Sequence, residues 1–475
     1  MTQTILLPQS SIPGPAATPL IGYRGNIIKF LSDPIAFMIK LQQDYGNVAA
    51  FIGGVPRGMV FAFGAKYNQQ VLSDADTYLN APITMPGPKD SANRRISMGI
   101  LSMSGERHKF FRRLMTPAFH VRTIPSFQPV ILQLLEDQLE SWKDGGVVDV
   151  SKEMTRLMKL FSIKMLLGLE DSKQALALAD LMEEWYAINI YFPTRVLLVD
   201  LPGFPYHKML RMAETLEGKL IALMNEKRAK LSPDSQDVLS LLLNAHEESG
   251  EPISDADLVG QLNFLFAASY ETTANSMSWI LFLLSQHPQV MSKLMENIDE
   301  VLENRPPKYE DLDKLTYLDC VIREGLRMFA PPVYANRVLA KSVELDNYSL
   351  PERSTIVFSH YMTHRDPAVF ENPDKFDPDR WLTIKPNSFE YLPFGAGAHA
   401  CLGYTLSFLI MKTVLSTVLS RYRLTCMPDS DISRKVLVTL SAKNGIPMQL
   451  TKQDKQFAKS KSRIKGNVHE MVDLR

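Results

Sequence analysis

Between residues 105 and 302 apolar side chains recur at helical spacing almost without pause, as amphipathic and buried helices require. Breaks fall at Pro117, Gly145 and Gly146, Pro193 to Pro205, Pro233, and Gly250 to Pro252, where glycine and proline interrupt the pattern. An earlier helix is predicted over 33–45. Apolar runs at 48–52 and 59–63 flank Gly53 and Gly54, which predicts a small hairpin. Past Pro331 the chain reads as short β-prone pieces such as 354–358, and a helix resumes after Gly403. The expected fold is mainly α with small β-sheets, an α-rich lobe plus a smaller β-containing lobe, in one unit over 1–451. Residues 1–30 read as a proline-rich wrap. Residues 452–475 carry seven Lys or Arg against three acids and little apolar period, which predicts a basic, flexible, solvated extension.

Composition narrows the function. The chain of 475 residues balances 52 basic side chains against 52 acidic ones, so it lacks the cationic excess that neutralising a phosphate backbone demands, and no nucleic-acid partner is expected. Cys320, Cys401 and Cys426 are too few and too scattered for a disulfide framework or a zinc site, which suits a reducing, cytoplasmic setting. Ile5, Leu6 and Leu7 before Pro8 fall short of a leader or anchor. The apolar stretch 258–285 is interrupted by Gln261, Asn263, Glu271, Thr272, Thr273 and Asn275, so it predicts a buried helix and not a transmembrane segment.

The strongest chemical signal is the run from Phe394 to Gly403, which leads into an apolar helix. Gly395, Gly397 and Gly403 admit backbone angles and close approaches that a Cβ resists, so the loop can lie against a flat ligand. Cys401 stands at the helix start, where unpaired N–H groups and the dipole favour a thiolate. One thiolate cannot complete a tetrahedral zinc or iron–sulfur shell, but it suffices as an axial ligand of haem iron. The run resembles the haem loop of the cytochrome P450 superfamily, F-x-x-G-x-(R/H)-x-C-x-G, filled here by Phe394, Gly397, His399, Cys401 and Gly403.

The resemblance covers about residues 12–450 and implies haem b held by Cys401, with the unit 1–451 as a single catalytic domain. It asks for a Glu and an Arg three apart on a helix, supplied by Glu324 and Arg327, with Arg380 as third partner in a structural network. It asks for an acid–alcohol pair inside a buried helix, supplied by Glu271 and Thr272 as proton-delivering catalytic residues. The plainer reading of those two is a threonine bonded back to its own helix and a glutamate paired to a distant base. Ser269 stands where the family usually has glycine. Cations for the haem propionates are expected from His108, Arg112, Arg337 and His399, the first two sharing a helix face at i, i+4.

By the same resemblance the chain is a monooxygenase that inserts one atom of O2 into a hydrophobic small molecule, such as a fatty acid, alkane, terpenoid or retinoid-like compound. Matching pocket positions are Ile100, Phe264, Ala267, Ala268, Val333 and Tyr334, nearly all apolar. Electrons would come from a separate donor, a ferredoxin with its reductase or another reductase, docking near Lys109 and Arg113. A monomer is expected. The stretch 191–199 is a candidate for peripheral membrane contact, against the plainer reading of a loop packed on its neighbours. Rival readings are a haem-thiolate enzyme that uses or rearranges peroxide, a non-catalytic haem or lipid binder, and a helical scaffold with a coincidental cysteine.

Overall fold

The computed structural model describes residues 11–19, 21–54, 58–232, 235, 237–249 and 253–474. The readings made on residues 1–10, Pro233 and Gly250 to Pro252 lie outside this set. A central helix, Asp255–Gln286, organises the larger lobe. Ser254 caps it, its hydroxyl accepting from the Asp257 amide at 3.1 Å while the Asp257 carboxylate accepts from the Ser254 amide at 3.3 Å. Its sequence is apolar on nearly every face, so it is buried almost throughout. It packs along Val150–Leu167, a helix started by Asp149 and stopped by Gly168 in the left-handed conformation. One apolar core runs through this lobe, with Phe161, Trp185, Phe266 and Trp279 among its largest fully buried side chains.

The predicted hairpin forms. Val48–Ala50 pairs antiparallel with Met59–Ala62, which runs parallel to Thr355–Phe358. Ala335–Leu339 and then Tyr78–Asn80 complete a five-stranded mixed sheet. This sheet has its own core, including Val60, Tyr67, Leu72, Ile356, Phe358 and Leu392. The fold is thus mainly α with small sheets, in a helical and a sheet-bearing lobe. The register sets Asn80 directly opposite Arg337, which matters for the site below.

Thr316–Met328, packed against the central helix, carries the predicted Glu-Arg pair. Arg327 grips Glu324 with Nε and Nη2, each at 2.9 Å, and Arg380 Nε donates to the same carboxylate at 3.0 Å. Glu324 and Arg327 are both fully buried. Such a network is weak evidence of net stabilisation, but stripping one member strands a buried charge at about 3–5 kcal/mol.

Two expectations are corrected. The proline-rich wrap ends sooner than residue 30, because Tyr23–Ser32 is helical and buries Asn26 and Phe30. Before it, the Pro13 and Pro15 carbonyls accept from the amides of Ala50 and Gly53, tying the wrap to the hairpin edge. The basic tail is not a flexible extension. Phe457, Ile464, Val468, Met471 and Val472 enter the main core, and Arg365 donates to the Met471 carbonyl at 2.8 Å. Much of its charge is paired, Arg463 with Asp429 at 2.7 Å and Lys455 with Asp299 at 2.6 Å. Its turns are 3-10, so its buried residues follow no regular period. Met471→Ala should therefore lower unfolding stability by about 2–5 kcal/mol in a denaturant titration, where a solvated tail would give no change.

Candidate active site

The Cys401 loop closes on itself before its helix begins. Cys401 N donates to the Phe394 carbonyl at 2.8 Å, Gly395 N to Leu392 at 3.0 Å, and Ala400 N to Gly397 at 3.1 Å. Gly395 and Gly397 sit at φ 65° and 70°, and a Cβ on Gly397 would lie 2.0 Å from the Leu72 carbonyl oxygen, so the loop seats on the small lobe only with glycine there. Phe394 is fixed by edge-on contact with Tyr404 at 4.7 Å. Gly403 is the N-cap of Tyr404–Arg421.

Cys401 keeps open surface on one side, yet the protein around it is dense enough that desolvation pushes its thiol above the usual range. The Gly403 N–H and the Arg112 charge pull the other way and do not win. The helix start thus favours the thiolate as expected, against a desolvation that opposes it. A metal ion would decide the matter, since it binds the deprotonated sulfur and displaces the proton.

Four predicted basic residues converge beside this loop. His108 lies buried on Gly105–Met115, its ring 4.0 Å from that of His399. Arg112, one turn on, donates to the Ala400 carbonyl at 2.7 Å. Arg337 projects from the sheet over the Phe358 ring, and among the described residues its guanidinium bonds only to the Asn336 carbonyl, at 2.8 Å. Burial holds it down at about 10. Asn80, opposite Arg337, sits 3.1 Å from His399 Nδ1, while His399 Nε2 is buried without a partner. Desolvation, then the charges of His108, Arg337 and Arg112, lower His399 to about 3.

His360, which the sequence reading did not single out, joins this group. It is buried with Nδ1 unpartnered, and desolvation followed by the Arg337 charge lowers it to about 3. Among the described residues no carboxylate pairs with any of these five basic groups. A buried cluster of bases with an orphaned ring nitrogen and no acid is incomplete without an anion. Two carboxylates carried by a ligand that also meets Cys401 would complete it, so the residues present fit haem with its two propionates.

The acid–alcohol pair lies on the central helix. Thr272 Oγ1 donates to the Ala268 carbonyl at 2.8 Å, as the plainer reading had it, but among the described residues Glu271 bonds to no base. Its Oε1 instead accepts from the Thr439 hydroxyl at 2.6 Å, and burial holds its carboxyl above the usual range. Ala268 is exposed and Ala267 half-buried in a helix otherwise enclosed on both sides of them, so the helix wall opens at the turn before the pair. Ser269 turns its hydroxyl onto Ser162 at 2.8 Å.

Of the other predicted pocket residues, Phe264 is fully buried with its ring edge-on to Tyr186. It comes so close to Gly99 that a Cβ there would sit 2.6 Å away. Ile100 is fixed by its amide donating to Gln261 Oε1 at 2.8 Å. Val333 is buried, and its carbonyl accepts from the Ser359 hydroxyl and the Tyr361 amide. Tyr334 is half-buried beside Phe30, ring to ring at 5.2 Å.

A helical fold with a glycine-wrapped cysteine, a buried bed of bases and a polar island on a long helix defines a haem-thiolate protein. The comparisons with known proteins agree. The Cytochrome P450 family model matches residues 12–447. Cyclooctatin synthase of Streptomyces melanosporofaciens is 30% identical over 438 residues, covering 90% of this chain and 93% of that one. Pentalenene oxygenase of Streptomyces avermitilis is 28% identical, covering 92% and 96%. A retinoic-acid-bound cyanobacterial P450, CYP120A1, superposes with a TM-score of 0.81 at 23% identity, over 94% of this chain and all of that one, which shows the fold. The chain belongs to the cytochrome P450 family. Haem is accordingly its cofactor and oxidoreductase chemistry its class.

The bed of bases yields a measurable consequence. Haem titrated into protein carrying both Arg337→Ala and His399→Ala should be retained roughly 10-fold more weakly or worse, as loss of groups that orient a metal centre generally brings. Equal retention would mean that the propionates lie elsewhere.

Proposed function

We propose that this protein is a monooxygenase of terpenoid-like hydrocarbons and alcohols, in which Glu271 and Thr272 deliver protons. Haem bound through Cys401 supplies the site where dioxygen is bound and reduced. The rest falls to the chain. Phe264, Val333, Ile100 and Ala267 offer apolar contact and exclude water from the reacting carbon. Thr272 offers a hydroxyl at the opening in the helix wall, and Glu271 behind it exchanges protons with the interior. The observation that carries this reading is a half-buried glutamate that bonds to a hydroxyl and, among the described residues, to no cation, next to a second hydroxyl at the turn where the middle of the central helix opens. A peroxide-using enzyme would have no need of it. Terpenoid substrates are favoured because relatives matched along nearly their whole length are named for them. Phe394, Gly395 and Gly403 would cradle the haem, while His108, Arg112, Arg337 and His399 hold its propionates. Glu324, Arg327 and Arg380 act structurally.

Electrons would arrive from a ferredoxin with its reductase. Lys109 and Arg113 are both exposed on the helix that carries Arg112, which suits docking of an acidic partner on a monomer. Among the described residues no helix is long and apolar enough to cross a membrane. The stretch 191–199 holds the short helix Phe192–Val196, which packs on its neighbours through the buried Thr194 and leaves its other side open, as does the chain that follows it. Tyr191, Phe192, Val196, Leu197, Leu198 and Leu201 are each about half exposed, which supports peripheral contact with a lipid surface where such substrates dissolve.

Two measurements test these statements. With NADPH, ferredoxin and ferredoxin reductase, a sesquiterpene and diterpene panel should give hydroxylated product, and Thr272→Ala should divert electrons to hydrogen peroxide and cut product formation by roughly 10²-fold. Turnover with peroxide alone, unaffected by that substitution, would reverse the reading. Separately, Leu198→Glu with Leu201→Glu should abolish co-sedimentation with phosphatidylcholine vesicles while the haem spectrum stays unchanged.

A further inference from the structure

Glu271, Asn275 and Trp279 stand at successive four-residue steps, so they share one face of the central helix. All three bond to the same short piece of chain, the turn of the hairpin Arg434–Val436 and Leu440–Ala442. Thr439 Oγ1 donates to Glu271 Oε1 at 2.6 Å, Asn275 Nδ2 donates to Thr439 Oγ1 at 3.0 Å, and Trp279 Nε1 donates to the Leu440 carbonyl at 3.2 Å. The Leu440 amide is tied to the Pro331 carbonyl at 2.8 Å, which fixes the turn from its other side. Thr439 and Asn275 are both buried.

The order of donors sets a direction. The Asn275 amide fills the acceptor side of the Thr439 oxygen, leaving the single hydroxyl proton for Glu271. Amide, hydroxyl and carboxyl form one polarised line. Nothing else among the described residues donates to that carboxyl. Lys435, on the same hairpin, acts on Glu271 through space without bonding it. Glu183, from the neighbouring helix Ser172–Ile190, opposes ionisation and is itself held by Lys159 at 2.6 Å and by Tyr270 at 3.3 Å. Lys159 also holds Asp180 at 2.8 Å, so that base is committed elsewhere.

Resting on the reading of Glu271 as the proton-delivering acid, we propose that Thr439, presented by this hairpin and oriented by Asn275, is the positioning residue for the Glu271 carboxyl. A buried carboxyl without a donor keeps its proton and turns freely. Thr439 pins one oxygen and favours the ionised form, so that the acid can both release a proton toward Thr272 and regain one.

The test uses the haem-loaded full chain and compares Thr439→Val, which removes the hydroxyl and keeps the shape, with Thr439→Ser, which keeps the hydroxyl. The valine variant should retain the wild-type thiolate spectrum of the reduced carbon monoxide complex. Its product formed per NADPH should fall several-fold, with the difference recovered as hydrogen peroxide. The sign of the pH effect follows from the lost donor. Without it the neutral carboxyl is favoured further, so the midpoint of coupled turnover moves to higher pH, and serine moves it back. Wild-type coupling and pH profile in Thr439→Val would overturn the assignment, as would a serine variant as impaired as valine, which would indicate a packing role. Glu271→Gln separates the two levels. If it too leaves coupling intact, the proton-delivery reading fails. If it uncouples while Thr439→Val does not, only the role of Thr439 fails.

Discussion

Five hydrogen bonds converge on the Glu324 carboxylate, and the placement of Cys401 depends on them. Besides the three from Arg327 and Arg380, Oε1 accepts from the Asp377 amide and Oε2 from the Trp381 indole, each at 3.0 Å. Held this way, Arg327 reaches the His364 carbonyl at 2.9 Å with Nη1. His364 in turn lies 3.1 Å from the Arg327 carbonyl through Nδ1, and its Nε2 accepts from the Leu392 amide at 2.7 Å. Only a neutral imidazole with its proton on Nδ1 can do both, and burial holds His364 well below its usual value. Leu392 accepts from Gly395 in the cysteine loop. One unbroken series of buried bonds therefore runs from the ion pair to the loop that carries the sulfur.

What could be read in the chain was what is local in it. Glu324 and Arg327 lie one turn apart on one helix, His108 and Arg112 likewise, and the haem loop is ten consecutive residues. Spacing alone brings such groups together. Thr439 meets Glu271 across 168 positions and Asn80 meets His399 across 319, and no period of helix or strand announces either contact. The register of the sheet makes the second, by placing Asn80 against Arg337. His360 gave no signal because a histidine on a β-prone run is ordinarily a satisfied core residue. Here its place beside Arg337, with an unpartnered nitrogen, is what distinguishes it.

The tail was misread for a related reason. Basic composition argues for solvation only while the charges lack partners and the apolar residues lack a surface to meet. Here Asp429 and Asp299 lie outside the tail and draw Arg463 and Lys455 down. Arg434 bridges Asp33 and Glu470, each at 2.7 Å, so the tail links the first helices to the hairpin that carries Thr439. Composition cannot register contacts whose other half lies 34 or 156 residues away.

A chain with formal net charge zero could have paired every buried charge internally, and over most of this molecule it does. Among the described residues two places stand out as unbalanced. Beside Cys401, five bases gather without an acid, and on the central helix Glu271 is held by a hydroxyl with no base bonded to it. Folding energy is poorly served by either, since each keeps an ionisable group buried without its counter-charge. On the reading proposed above, the imbalance has the right sign at each position: carboxylates of the cofactor would be met in the first and mobile protons in the second. Had a lysine been bonded to Glu271 in place of Thr439, the carboxylate would be more stable and less able to take up a proton. On that proposal the neutral partner is the feature that would separate a working acid from a structural ion pair such as Glu324 and Arg327.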